Sequence, residues 1–300
     1  MSLWIPVTLA AAFFQTLRFM LQKHLSRVDL SPAGATFARF FYSAPLVAVL
    51  LALYLNASGQ ALPTLGLAFW IYGAAGGAAQ ILATICVVML FKQRNFAVGI
   101  TFKKTEVIQT VLVGWVILGE GVSIWGFAAI LIGLIGVLLL SDPPGGDGVW
   151  LRRIANRAAG IGLVSGVFFA ISGVCYRGAS LEIASADPLL RAGVTLSAVT
   201  AMQMVAMAIW LHLREAGEIT AVWRVRKVAG WIGLTSMAGS MCWFTAFTLQ
   251  TAAYVNALGQ VELIFSLLAS TLFFRESISG REVFGIAILA ISILMLILVI

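Results

Sequence analysis

AVGITFKKTEVIQTVLVGWVILGE, residues 97–120, lines up without a gap on AYVNALGQVELIFSLLASTLFFRE, residues 253–276. The register sets Glu106 against Glu262 and Glu120 against Glu276, 156 positions apart in both cases. A 300-residue chain therefore repeats itself at about half its length, with an ionisable group inside a very apolar run in each copy. Charge at membrane depth is costly and is kept where something must be bound or moved, so the pattern implies transport across a bilayer.

The rest of the composition agrees. Hydrophobic residues make up 61% of the chain and charged residues 10%, and mean hydropathy is +1.02. A soluble globule has too little interior to hide that much apolar surface, so lipid must be the solvent for most of it. The net charge of +7 is scattered between apolar runs; it reads as a topology signal and not as a nucleic-acid face. Cys86, Cys175 and Cys242 all fall inside apolar segments without a CxxC pair, which argues against disulfides and against a metal site. No phosphate-binding glycine loop is present, so ATP is not expected to drive anything, and no cofactor is expected. The first apolar segment lacks a basic leader and contains Gln15 and Arg18, so it reads as a mature membrane helix.

A hydrocarbon core of roughly 30 Å asks for about 20 apolar residues per helix. By that measure the chain is an all-α polytopic membrane protein with ten spans, at 3–23, 33–56, 66–91, 96–118, 123–141, 158–178, 188–212, 229–249, 252–274 and 282–300. Residues 1–141 and 158–300 form two five-helix repeats, joined by a linker at 142–157 that opens with SDPPGGDG from Ser141. Five crossings per repeat invert the second copy relative to the first. Loops after odd-numbered spans hold 13 lysines and arginines, whereas the opposite side holds Arg177 alone. Positive charge favours the cytoplasm, which places both termini outside and the protein in the inner membrane.

Gly119-Glu120 at the end of the fourth span and Arg275-Glu276 at the end of the ninth, each followed by an apolar helix carrying Gly126, Gly133 and Gly136 or Gly285, resemble the drug/metabolite transporter superfamily. More narrowly, the chain is similar to its EamA-type metabolite exporters. The resemblance implies ten helices around a central cavity and export of small metabolites, amino acids and aromatic amino acids among them, often with protons as the coupling ion. Partners are then a small-molecule substrate, protons and the lipid bilayer, and no nucleic acid.

The densest polar cluster is Thr101, Lys103, Lys104, Thr105, Glu106 and Gln109. Three charges within four residues cannot all face lipid. At 100° per residue Lys103 and Glu106 share a side and can pair, whereas Lys104 must find a partner elsewhere. The matching stretch supplies Asn256, Gln260 and Glu262; Gln260 and Glu262 lie about 160° apart on a continuous wheel, so not all can point at one cavity. Lys103 or Lys104 is the candidate anion site, and Glu106 or Glu262 the candidate carrier of an amine or a coupling proton. The alternative is an internal Lys103–Glu106 pair, with Glu262 tying helices together. Gln80, Tyr176, Trp243, Asn256 and Gln260 are the further candidate cavity residues, and Trp243 and Tyr254 have rings suited to an aromatic cargo. Arg18, Arg39 and Arg191 lie a turn or two inside helix ends, where long side chains are expected to snorkel to the interface or form structural pairs; Arg39 is the exception to watch, because Tyr42 and Ser43 follow it on the same helix. Sugar-phosphate exchange is the rival reading within transport, because paired lysines suit phosphate. An intramembrane enzyme acting on lipid intermediates would need a metal or nucleophile constellation, which His24 and His212 near helix ends do not supply.

Overall fold

In a computed structural model the described residues are 2–25, 30–91, 102–141, 157–274 and 279–299. They form twelve helices. In the first repeat these are α1 (Trp4–Leu25), α2 (Pro32–Ser58), α3 (Leu67–Phe91), α4 (Glu106–Leu118) and α5 (Ile124–Ser141). The second repeat has α6 (Arg157–Leu181), α7 (Pro188–Arg214), α8 (Glu218–Arg224), α9 (Arg226–Leu249), α10 (Ala252–Gly259), α11 (Glu262–Phe274) and α12 (Gly280–Val299). Seven of them are long and apolar enough to cross a membrane, and α4, α5 and the α10–α11 stretch supply shorter apolar helices. Thr101, the link at 92–95, the linker apart from Arg157, Arg275 and Glu276 lie outside the described residues.

Helix packing follows the repeat. α3 lies along α6, and the counterpart pair, α9 along α1, packs in the same way but less extensively. α2 packs on α7 and α5 on α12, each joining an element to its own equivalent. These are the contacts a pseudo-twofold relation between inverted halves requires. Small residues let backbones approach where packing, and not water exclusion, holds helices together: at Gly136 a Cβ would sit 2.9 Å from the Leu289 nitrogen across the α5–α12 seam. α2 starts as its sequence dictates, with the Ser31 hydroxyl accepting from the Gly34 N–H and Pro32 in the first turn. Pro45 is accommodated inside α2, which runs unbroken to Ser58.

Two departures from the continuous-span reading matter. The expected spans 96–118 and 252–274 are each interrupted. The chain turns at Lys104–Thr105 before α4 and at Gln260–Val261 between α10 and α11. Both turns tighten to i→i−3 bonding, with Thr105 N–H donating to Phe102 O (3.2 Å) and Val261 N–H to Leu258 O (3.1 Å). The same stretch of each copy breaks at the same register, and Glu106 and Glu262 become the first residues of the half-helices that follow. A carboxylate is favoured there, because the unpaired N–H groups of a helix start carry partial positive charge. The low-hydrophobicity stretch from Leu213 to Lys227 is also more than a loop, since it contains α8.

Candidate functional site

The breaks bring the charged residues of the two copies together. Lys103 Nζ lies 2.9 Å from Glu106 Oε2 and donates to Oε1 at 3.1 Å. Lys104, on the other side of the turn, reaches across the repeat boundary to Glu262 Oε2 at 3.1 Å. Glu262 also accepts from Gln15 Nε2 of α1 at 2.8 Å. All four charged side chains are buried. The sequence-level pairing of Lys103 with Glu106 is therefore what the fold contains, and the partner that Lys104 needed is Glu262.

Two glycines permit this arrangement. A Cβ on Gly166 of α6 would come within 2.6 Å of Gln109 Oε1 and 3.0 Å of the Lys103 carbonyl. Only a residue without a side chain lets α6 lie against the first break. At the second break a Cβ on Gly259 would meet the Trp243 ring at 2.3 Å. Gly259 occupies the position equivalent to Lys103, so an indole fills the space where the first copy has an ammonium.

Beside the ion pairs lies a cavity contributed by α1, α2, α3, the break before α4, α6, α9 and α10. Gln15, Arg18, Arg39, Gln80, Lys103 and Glu106 form its polar wall; Phe169, Tyr176, Trp243, Phe244 and Phe247 form its aromatic wall, and Asn256 closes it. The space open to water centres is about 60 Å³, enough for about four waters. An aromatic amino acid needs the cavity to widen. Tyr176 stacks on Phe244 at 4.4 Å and donates its hydroxyl to Gln80 Oε1 at 3.0 Å. Gln203 of α7, which the sequence reading did not advance as a site residue, donates to the same oxygen at 3.0 Å and so orients Gln80. Trp243 stacks on Phe247, and its buried Nε1–H has no hydrogen-bond partner among the described residues.

Arg18 and Arg39 are the main correction. Neither snorkels: they are 4% and 3% exposed, and both line the cavity. Arg39 donates to three hydroxyls, Ser236 (2.8 Å), Ser240 (3.2 Å) and Thr84 (3.4 Å), and lies 5.1 Å from the Phe40 ring centre. Arg18 lies over the Phe19 ring at 4.5 Å and donates to Gln15 Oε1 at 3.4 Å, and its Nε–H has no partner among the described residues. Among the described residues neither guanidinium has a carboxylate within 4.0 Å. Among the described residues the cavity wall thus carries three buried cations, Arg18, Arg39 and Lys103, and one buried carboxylate, Glu106, which Lys103 already holds. Gln15, Arg18 and Gln22 recur at i, i+3 and i+7 on α1, a polar stripe in an apolar helix that marks the cavity face.

Other expected residues fall elsewhere. Asn256 reaches the cavity and donates to Thr110 Oγ1 at 2.9 Å. Gln260 and Lys104 border a separate void of about 10 Å³ with Gly133 and Ser292. Tyr254 is remote from the cavity wall; its hydroxyl accepts from the Ser123 N–H at 2.9 Å and packs on Gly126 at the start of α5. Arg191 is structural, donating to the Ser180 carbonyl at 2.7 Å. Toward the other end of α6, Arg177 holds both Glu120 oxygens at 2.7 Å and the carbonyls of Phe247 (2.7 Å) and Gln250 (2.8 Å). That gives the repeated glutamate of the first copy a partner on the second.

No curated protein matches the sequence. A solved structure described only as "Crystal structure of protein" has 17% identity over 98% of this chain and 96% of its own, with a TM-score of 0.71, and shares the fold. The profile of the EamA-like transporter family matches residues 2–142 and again 156–298, one match per repeat. A duplicated helical bundle with broken helices meeting at a charged cavity, covered end to end by that profile, belongs to the EamA-like transporter family, and through it to the drug/metabolite transporter superfamily.

Proposed function

We propose that the chain exports a small metabolite bearing a carboxylate by alternating access, with amino acids, aromatic ones included, as the substrate class and protons as the coupling ion. The excess positive charge of the cavity carries this reading. Arg18 and Arg39 are buried without a counter-ion among the described residues, and a buried charge is tolerable when a partner completes it. A substrate carboxylate between the two guanidiniums supplies that partner with bidentate geometry. The Trp243 and Phe247 faces suit an aromatic side chain or the ammonium. Proton uptake by Glu106 or Glu262 would release Lys103 or Lys104, which gives the coupling ion a route to change the cavity. The basic loops orient the protein with its termini outside the inner membrane.

The test is counterflow in proteoliposomes loaded with a mixed pool of labelled amino acids, comparing the native chain with Arg39→Gln and Glu106→Gln. Selective exchange of one class, lowered at least tenfold in Arg39→Gln, supports the reading. Undiminished exchange by Arg39→Gln refutes the role of the free guanidinium. A second reading rests on the same charge count: two uncompensated cations also match a phosphomonoester dianion. It requires that no amino acid exchange and that a sugar phosphate exchange strictly one for one.

A further inference from the structure

Outside the cavity, the short helix α8 packs against α2 and α7. A groove of about 440 Å³ runs there, walled by Phe41, Tyr42, Pro45, Ala48, Met204 and Trp223, with almost no polar surface. Ala48 and Trp223 are exposed, so the groove opens to the surroundings of the bundle. Proline at position 45 has no N–H for the Phe41 carbonyl and sits exposed on the groove wall. Tyr42 ties α8 down by donating its hydroxyl to the Val222 carbonyl at 3.2 Å.

The rim is charged with one sign. Arg224, Arg226 and Lys227 are exposed at the end of α8 and the start of α9, and the Arg226 guanidinium lies 5.9 Å from the Trp223 ring centre. The nearby acids do not neutralise them. Glu218 accepts from the Ser31 N–H at 3.3 Å and Glu215 accepts from the Ser31 hydroxyl, so both turn toward the start of α2. An apolar trough with exposed cations at one end matches a molecule with a chain and an anionic head.

We infer that this groove is a binding site for an anionic phospholipid, with one acyl chain along Phe41, Pro45 and Met204 and the headgroup phosphate against Arg224, Arg226 and Lys227. The inference is independent of the cargo. Each basic residue near an anionic lipid surface favours association by about fivefold, so three give about a hundredfold preference for anionic over zwitterionic heads.

Native mass spectrometry of the purified chain, titrated with phosphatidylglycerol and phosphatidylcholine of identical chains, tests this. The native chain should bind the former about a hundredfold more tightly. The triple variant R224Q/R226Q/K227Q should bind both equally. Ala48→Phe and Ala201→Phe, which fill the trough without touching the charges, should each weaken both lipids at least tenfold. Equal affinity for the two lipids in the native chain, or an undiminished preference in the triple variant, overturns the headgroup assignment. Unchanged binding in both filled variants overturns the chain assignment. A dimer in lipid nanodiscs that Ala48→Phe converts to a monomer would assign the groove to a second copy and overturn the proposal.

Discussion

Replacing Lys104 with methionine keeps the stem of the side chain and removes only its charge, which leaves Glu262 buried with Gln15 as its remaining donor. At 3.1 Å and an effective dielectric of about 20, the attraction lost is about 5 kcal/mol. Removing one partner of a buried pair costs about 3–5 kcal/mol in measured cases, in agreement. Glu262 can avoid the full cost by taking up a proton. For a carboxyl with a reference pKa of about 4.3, that costs about 3.7 kcal/mol at pH 7 and about 1 kcal/mol at pH 5. The variant should therefore be destabilised by about 3–4 kcal/mol at pH 7, and the deficit should shrink to about 1 kcal/mol at pH 5. Adding Glu262→Gln removes the stranded charge, so K104M/E262Q should regain most of the loss at pH 7. Denaturant unfolding in detergent at the two pH values, run on the native chain, both single variants and the double, completes the cycle. A deficit that does not change with pH, or single losses that simply add in the double variant, would refute the pairing argument.

Two further outcomes follow from the geometry. Gly166→Val places its side chain against the Lys103 carbonyl, a backbone atom of the first break that cannot swing aside as the Gln109 side chain can, so it should cost about 1–3 kcal/mol and abolish transport, read as unfolding midpoint and counterflow. Asp187 caps α7 by accepting from the Leu189 and Leu190 N–H groups; although partial burial pushes its carboxyl up, hydrogen bonds from Tyr54, Gln60 and those amides hold it below the usual range. Its contribution is then complete above the unfolded carboxyl pKa of about 3.9 and lost as pH falls through the lower folded value; Asp187→Ala should cost about 1 kcal/mol at pH 7, and the difference from the native chain should vanish in strong acid.

Much of this arrangement was legible in the residues. The ungapped match of 97–120 on 253–276 located the two charged stretches, because it aligned Glu106 on Glu262 inside apolar runs. The Lys103–Glu106 spacing predicted the pair that forms. What the sequence hid was the break itself. A helical wheel assumes 100° per residue throughout, and the tight turns at Lys104–Thr105 and Gln260–Val261 reset the phase, so Lys104 and Glu262 meet although each was placed on a side of its own. Arg18 and Arg39 were misread for a different reason. Their distance from a helix end suits snorkelling, but direction decides, and the stripe Gln15–Arg18–Gln22 points inward. Gln203 and the reach of Arg177 to Glu120 depend on which helices touch, which no single-helix pattern carries.

The unequal chemistry of the two breaks, an ammonium at Lys103 and an indole standing over Gly259, bears on the history of the duplication. Two identical five-helix chains assembled antiparallel would offer each side of a chamber the same groups, and such a vestibule suits only cargo that is itself symmetric. Joining the copies in one polypeptide freed each to drift. One now lines the chamber with Arg18, Arg39 and Lys103 and the other with aromatic rings, so the chamber has a basic end and an aromatic end, the asymmetry that the proposed recognition of a two-ended cargo requires.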